Sequence, residues 1–372
     1  MKIKCNKGAI KKGFHAIESV ISGANINPML QNVKIVAKAK GKTLELSTTD
    51  LEVSVSYTVG AVEVIKPGRM VGPEKKIASI VKEWSEDNIE ITEEDKKCTI
   101  KGENSYFKIL CLDPEEFPTI PEFINEECIE IDKDILAEMI KKTSFIILGD
   151  KTRFGTNGVF LDISGKHIKM VANDGRRLAE VKKKINNPEG ITRSCIIPIK
   201  GASQILRIIS EQEGTVKLRA EEKRVLVKTE NATLCSQLLE GQYPKYEEVI
   251  PSNLDKRASL NRDEFTTAIR RGSIMTTEEY KLLKFKFAGK TLEISCTSPD
   301  VGEAKTVVPV KYSGDELEIG LNPDFVLDFL KNVNTEDIKL DMKDPGTAGV
   351  FKAGGGCTYV IMPMNLGEER TT

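Results

Sequence analysis

The feature that most limits how this chain can fold is an internal repeat. Gly41-Lys-Thr-Leu-Glu-Leu-Ser-Thr-Thr-Asp50 returns as Gly165-Lys-His-Ile-Lys-Met-Val-Ala-Asn-Asp174 and again as Gly289-Lys-Thr-Leu-Glu-Ile-Ser-Cys-Thr-Ser298. Both offsets are 124 residues, one third of the 372-residue chain. A second register agrees: Ile89-Glu-Ile91 and Lys101-Gly-Glu-Asn104 recur 127 residues later as Val216-Lys-Leu218 and Lys228-Thr-Glu-Asn231. Phe117-Pro118 answers to Tyr243-Pro244, and Ile338-Lys-Leu340 is a weaker third copy leading to Tyr359-Val-Ile-Met-Pro363. A period of this length is domain-sized, so three copies of one domain are expected, at 1–125, 126–254 and 255–372.

Each copy has the same internal order. A helix comes first: residues 8–21 place Ile10, Phe14, Ile17 and Ile21 on one face and Lys11, His15 and Glu18 on another. Strands follow, as where Leu51, Val53, Val55 and Tyr57 alternate with Glu52, Ser54, Ser56 and Thr58, the period-2 pattern of a half-buried antiparallel strand. A second amphipathic helix is predicted at 74–84, then more strands. The order recurs with helices at 133–143 and 198–209, and at 262–272 and 323–331. The expected fold class is α+β, with two helices packed on one side of antiparallel sheets in each domain.

Sites of chemistry are hard to build from this sequence. Gly-Lys-Thr at 41–43 and 289–291 lacks the glycine a phosphate-binding loop needs five residues earlier, where Val36 and Lys284 stand, so the repeated Gly-Lys pair reads as a hairpin turn. Gly354-Gly355-Gly356 precedes no predicted helix and reads as another turn. His15 and His167 are the only histidines, so no metal site or Ser/His pair is assembled. The eight cysteines are scattered without a Cys-x-x-Cys pair and read as buried thiols. Runs such as Glu93-Glu-Asp95 read as solvated surface. The expectation is a protein that is not an enzyme and needs no metal or cofactor. The opening Met1-Lys2-Ile3-Lys4-Cys5 lacks a signal-peptide core and no long apolar run occurs, so a cytoplasmic protein without a membrane partner is expected.

Charge is distributed unevenly. The net charge is −1, yet five of the six predicted helices carry an excess of Lys and Arg, including Lys11, Lys12, Lys200 and Arg207, and only 323–331 is net acidic. Basic helices on an acidic body suit a phosphate backbone held on one face, although lysine is also simply a good helix former. The last stretch, Tyr359-Val-Ile-Met-Pro-Met-Asn-Leu366, is apolar where chain ends are usually polar. Val360 and Ile361 read as the end of a strand and Met362 to Leu366 as the lining of a pocket, because methionine adapts to varied ligands.

With these motifs in place the whole chain resembles the bacterial sliding clamps, the β subunits of DNA polymerase III. The marks are the threefold repeat, Thr48-Thr-Asp-Leu-Glu52, Asn157-Gly158, Asn173-Asp-Gly-Arg-Arg-Leu178 and the tail Tyr359 to Leu366. The resemblance implies a head-to-tail homodimer closed into a ring, with helices around sequence-independent duplex DNA. It also implies partners that dock by short peptides: the replicative polymerase, the clamp loader and other proteins with clamp-binding motifs. The partner pocket would use Asn173, Gly175, Arg177, Leu178, Pro244, Val249, Val360, Met362, Pro363, Met364 and Leu366. Glu248 and Asn365 stand where relatives often carry a basic residue. For DNA, Lys75, Arg153 and Phe154 match family positions, whereas Ala24, Asp150 and Gly155 depart from them. Ring closure would set Phe107 and Ile109 against Ile274 and Met275 of a second copy. A monomeric nucleic-acid-binding repeat protein is the alternative reading.

Overall fold

The computed structural model describes residues 1–21, 27–148, 157–210, 213–277, 281–298 and 301–366. Among them are six α-helices, two in each repeat: α1 (Lys7–Ile17), α2 (Glu74–Glu83), α3 (Lys133–Leu148), α4 (Ile199–Ser210), α5 (Arg262–Ser273) and α6 (Pro323–Lys331). The first begins where Asn6 caps it, its side chain accepting from the Ala9 N–H at 3.2 Å. Ile10, Phe14 and Ile17 form its buried stripe, and a 3₁₀ turn, Glu18–Val20, replaces the last expected α-helical residues. Helix α3 runs five residues past the predicted end at 143. Its Lys-Lys-Thr-Ser run looks terminal in sequence, but Lys142 is buried on Glu138 at 2.5 Å and Thr143 Oγ1 donates to the Met139 carbonyl at 2.8 Å.

The contacts form two compact units, Met1–Ala137 with Asn186–Leu239, and Glu138–Ile185 with Glu240–Thr372. This division cuts the middle repeat, and backbone hydrogen bonding is the reason. In the first unit, Val53–Val59 of the first repeat pairs antiparallel with Ala232–Gln237 of the second, so one eight-stranded sheet spans both. In the second unit, Arg177–Lys184 pairs with Cys357–Ile361 of the third repeat. Each half of the middle repeat is therefore bound by a continuous ladder to a different neighbour.

The first unit also holds a five-stranded sheet in the order Glu63–Lys66, Lys2–Asn6, Asn88–Glu94, Lys97–Lys101, Tyr106–Leu110. Its core is aliphatic, with Ile3, Ile10, Ile17, Ile35, Leu44 and Leu46 fully buried; burying each such side chain stabilises by roughly 1.5–3 kcal/mol. Close helix–sheet contact depends on Gly13 of α1, where an added Cβ would lie 2.7 Å from Leu46 Cδ1. The second unit packs around aromatic rings. Phe329 of α6 stacks on Tyr359 at 4.8 Å, Phe351 lies beside both, and the Tyr359 hydroxyl donates to the Phe325 carbonyl at 3.0 Å.

The repeated Gly-Lys pair sits in hairpin turns, with φ of +89° at Gly41, +55° at Gly165 and +60° at Gly289. Gly354 to Gly356 also turn a hairpin, between Ala353 and Cys357. All eight cysteines are free thiols, six of them buried. No group of His, Cys, Asp or Glu among the described residues is placed to hold a metal ion, and no described helix is long and apolar enough to cross a membrane.

Candidate functional site

Most of the expected pocket residues assemble in the second unit, around a hairpin turn built by local hydrogen bonds. Asp174 Oδ1 accepts from the N–H groups of Arg176 and Arg177, both at 2.9 Å, and Asn173 Oδ1 accepts from the Gly175 N–H at 2.7 Å. Gly175 takes φ +86°, which suits a residue without Cβ. The turn aims Arg177 inward. Its guanidinium pairs with Asp174 and with Asp328 of α6, each at 2.9 Å, and lies 4.3 Å from the Phe325 ring centroid. Arg177, expected to face a partner, is 5% exposed and anchors the turn from beneath.

Strand pairing then aligns the apolar floor. Asn173 stands opposite Leu178, Leu178 opposite Val360, and Val360 opposite Val350, one row across four strands on a single face. Leu178, Val360, Val350, Val171, Ala348 and Tyr246 form one buried cluster, and Phe160 and Tyr243 pack on it, stacked on each other at 4.8 Å. The rim is exposed and apolar: Val249 is 47% and Met362 49% exposed, and Pro244 is exposed as well. Sequence reading missed Tyr246, Phe160 and Asp328; the closely spaced Tyr243 and Tyr246 flanking Pro244 were the one signal available for the first. The Cys357–Ile361 strand ends where predicted, and Met362 N–H donates to the Arg176 carbonyl at 2.9 Å. Beyond it the tail lies along Leu317–Leu321: Met364 N–H donates to the Gly320 carbonyl at 2.8 Å, and Leu366 rests on the bare Cα of Gly320. Pro363 is half-buried between them, and exposed Glu248 pairs with Lys245 at 3.7 Å.

The basic helix residues separate into two kinds. Lys11, Lys12 and Lys75 are exposed and make no ion pair with any described residue. Lys200 is instead ion-paired with Asp50, whose side chain is only 5% exposed, and burial pulls the Lys200 pKa down. Arg207 is engaged as well, with Nη2 on Glu18 at 2.5 Å and Nε donating to the His15 carbonyl at 2.9 Å, so it ties α4 to α1. Arg153 and Phe154 lie outside the described residues, as do Ala24, Asp150 and Gly155. One acidic group breaks the pattern: Glu74, at the start of α2, is 1% exposed and its Oε1 has no hydrogen-bond partner among the described residues. Burial, helped by the nearby Glu18 charge, pushes its pKa up to about 7.

Each unit also presents an unpaired strand edge. Tyr106–Leu110 ends the five-stranded sheet, with Tyr106 60% and Leu110 76% exposed. Phe107 and Ile109 stand opposite Ile100 and Cys98, both buried, so they lie on the core side; Phe107 contacts Trp84 at 6.3 Å and is still 41% exposed. The alternation leaves Tyr106 and Leu110 on the outer side, which sequence reading passed over. In the second unit Gly302–Pro309 is the outermost strand of a four-stranded sheet and Val307 is 54% exposed. Ile274, just after α5, is 71% exposed, and Met275 is half-buried.

Comparison with known proteins accounts for all three repeats. Residues 1–121, 130–245 and 247–365 match the N-terminal, central and C-terminal domain models of the DNA polymerase III beta subunit. The beta sliding clamp of Pseudomonas aeruginosa is 30% identical over 98% of this chain and 100% of its own length, and that of Chlamydia muridarum is 29% identical over 99% and 100%. The solved sliding clamp of Bacillus subtilis superposes with a TM-score of 0.93 at 25% identity, covering 99% of this chain and all of that one. With its three repeated α+β domains aligned end to end with these relatives, the chain belongs to the sliding-clamp family of DNA polymerase III beta subunits.

Proposed function

We propose that the chain is a DNA replication processivity factor: two copies join head to tail into a ring around duplex DNA and tether the replicative polymerase. The observation that carries this reading is the pair of open strand edges, because an exposed edge bearing Tyr106 and Leu110 is normally covered or paired. A second copy offering Gly302–Pro309 and Ile274 covers it, with Phe107, Ile109 and Met275 beside the seam. Lys11, Lys12 and Lys75, and Arg153 with Phe154, then face phosphates without reading bases, while Lys200 and Arg207 contribute through residual field more than direct contact. The floor of Leu178 and Val360 under Met362, Pro244 and Val249 receives apolar anchors of short peptides from the polymerase, the clamp loader and other partners, with Asn173 and Gly175 shaping its edge and Pro363, Met364 and Leu366 continuing the wall. Glu248 and Asn365 shift its preference among peptides. The role needs no chemical step and no cofactor, and it places the protein with the DNA in the bacterial cytoplasm.

The decisive experiment loads the protein onto nicked circular DNA and then linearises the circle. Release on linearisation is expected of a ring; equal retention on both forms, or sedimentation as a single chain, favours a monomeric repeat protein instead. Removing residues 362–372 should abolish binding of a polymerase C-terminal peptide and leave the dimer intact.

A further inference from the structure

The second unit carries a concentration of positive charge outside every site described above. Lys311–Ser313, Lys256–Asn261, Asp337–Met342 and Gly349–Ala353 are neighbouring strands, and Lys311 stands opposite Ser259, Ser259 opposite Lys339, and Lys339 opposite Lys352. Three lysines thus share one cross-strand row. Arg257 and Asp341 face each other two positions away on the same face, and Lys290 adds a fifth cation to a groove of about 670 Å³. Among the described residues Asp341 is the single carboxylate lining that groove, and it is already taken by Lys352 at 2.7 Å, with Arg257 at 3.9 Å. Lys290, Lys311 and Lys339 are exposed and pair with no described acidic residue. Lys339 and Lys352 repel each other directly across the ladder, so the face gains from any anion that settles on it.

What the face lacks narrows the ligand. The alternate residues Ala258, Leu340, Phe351 and Tyr312 turn toward the core, where Tyr312 stacks on Phe287 at 5.4 Å, and Val310 is 5% exposed. Ala258 and Val310 floor the groove but are only 2% and 5% exposed, so they offer a peptide no open, well-packed apolar pocket. Tyr312, the one ring lining the groove among the described residues, is half-buried and spends one face on Phe287, so base stacking is a minor part of what the groove offers. A nucleic-acid strand needs neither, since lysines that displace its condensed counterions bind it through phosphates alone. We propose that this sheet face of the third repeat is a sequence-independent site for a single nucleic-acid strand, separate from the proposed duplex-facing helices and sharing no residue with them.

The test is fluorescence anisotropy with a fluorescein-labelled (dT)20 oligonucleotide and the full chain, across a salt series. Lys339→Glu with Lys352→Glu should weaken binding at least about tenfold at low salt and flatten the plot of log K against log salt by about 1.4, the value for two lost single-strand phosphate contacts. The sheet substitutions should weaken (dT)20 binding by the same factor in a Lys11→Glu, Lys12→Glu background, whereas retention on circular duplex DNA should fall only with the helix substitutions, so failure here and failure of the ring reading are distinguishable. Thermal melts verify that the charge-reversed protein is folded, and Lys339→Gln with Lys352→Gln replaces it if it is not. Wild-type affinity in the variants overturns the proposal. So does a poly-Asp/Glu peptide that displaces the labelled strand better than unlabelled (dT)20.

Discussion

Leu110→Ala combined with Ile274→Ala should convert the proposed dimer into folded single chains. The two side chains are 76% and 71% exposed in one chain, so about three quarters of each remains to be covered by a second copy. Burying a whole Leu or Ile is worth roughly 1.5–3 kcal/mol, which gives about 1–2 kcal/mol each and about 2–4 kcal/mol per interface. A head-to-tail ring of two copies contains the interface twice, so the dimer loses about 4–8 kcal/mol, on the order of 10³ to 10⁶ in Kd. Phe107 and Ile109 are poorer targets, because Phe107 touches Trp84 and both stand opposite buried residues, so truncation there disturbs the domain's own packing. Sedimentation velocity over a concentration series reads the outcome. Thermal unfolding of the isolated chain should move by less than about 0.5 kcal/mol, as for exposed positions generally. A dimer of unchanged Kd refutes the assignment of these edges to ring closure.

Other consequences follow from individual residues. Glu74, with a folded pKa of about 7 against an ordinary 4.5, binds more protons folded than unfolded between those values, so its contribution to stability falls as pH rises through that window. Glu74→Gln should therefore raise the melting temperature above pH 7, by up to about 3 kcal/mol in stability, and have little effect near pH 4; a pH-independent difference contradicts the burial argument. Leu51 takes φ +78° at the position where the second repeat has Gly175, so Leu51→Gly should stabilise by about 0.5–1 kcal/mol in chemical denaturation. Lys200→Met leaves the Asp50 carboxylate without its ion-pair partner, though Oδ1 still accepts from the Glu52 and Val53 N–H groups, and should cost about 1–3 kcal/mol, whereas Lys11→Met should leave stability unchanged and shorten retention on circular DNA. Gly320→Ala places a Cβ 2.7 Å from the Met364 carbonyl oxygen, and should weaken peptide binding in the pocket while the dimer persists.

The amino-acid order alone determined the threefold repeat, the α+β pattern within each copy and the hairpin turns, because these depend on periodicity and on residues a few positions apart. The turn glycines at 41, 165 and 289 and the stripe of Ile10, Phe14 and Ile17 are properties of that kind. The floor of the pocket was half legible: Leu178 and Val360 were named from a resemblance, but their place in one row with Asn173 and Val350 is a matter of strand register. Charge was least legible. Lys11 and Lys200 are both lysines on amphipathic helices, yet one is exposed without an ion pair and the other is bound to Asp50, 150 residues away. Arg207 meets Glu18 across 189 positions, and Arg177 meets Asp328 across 151. Only the tertiary structure decided these pairings, along with the cut through the middle repeat and the edges left open. Periodicity records which face a side chain occupies, and what that face meets depends on strands and helices far away in the chain.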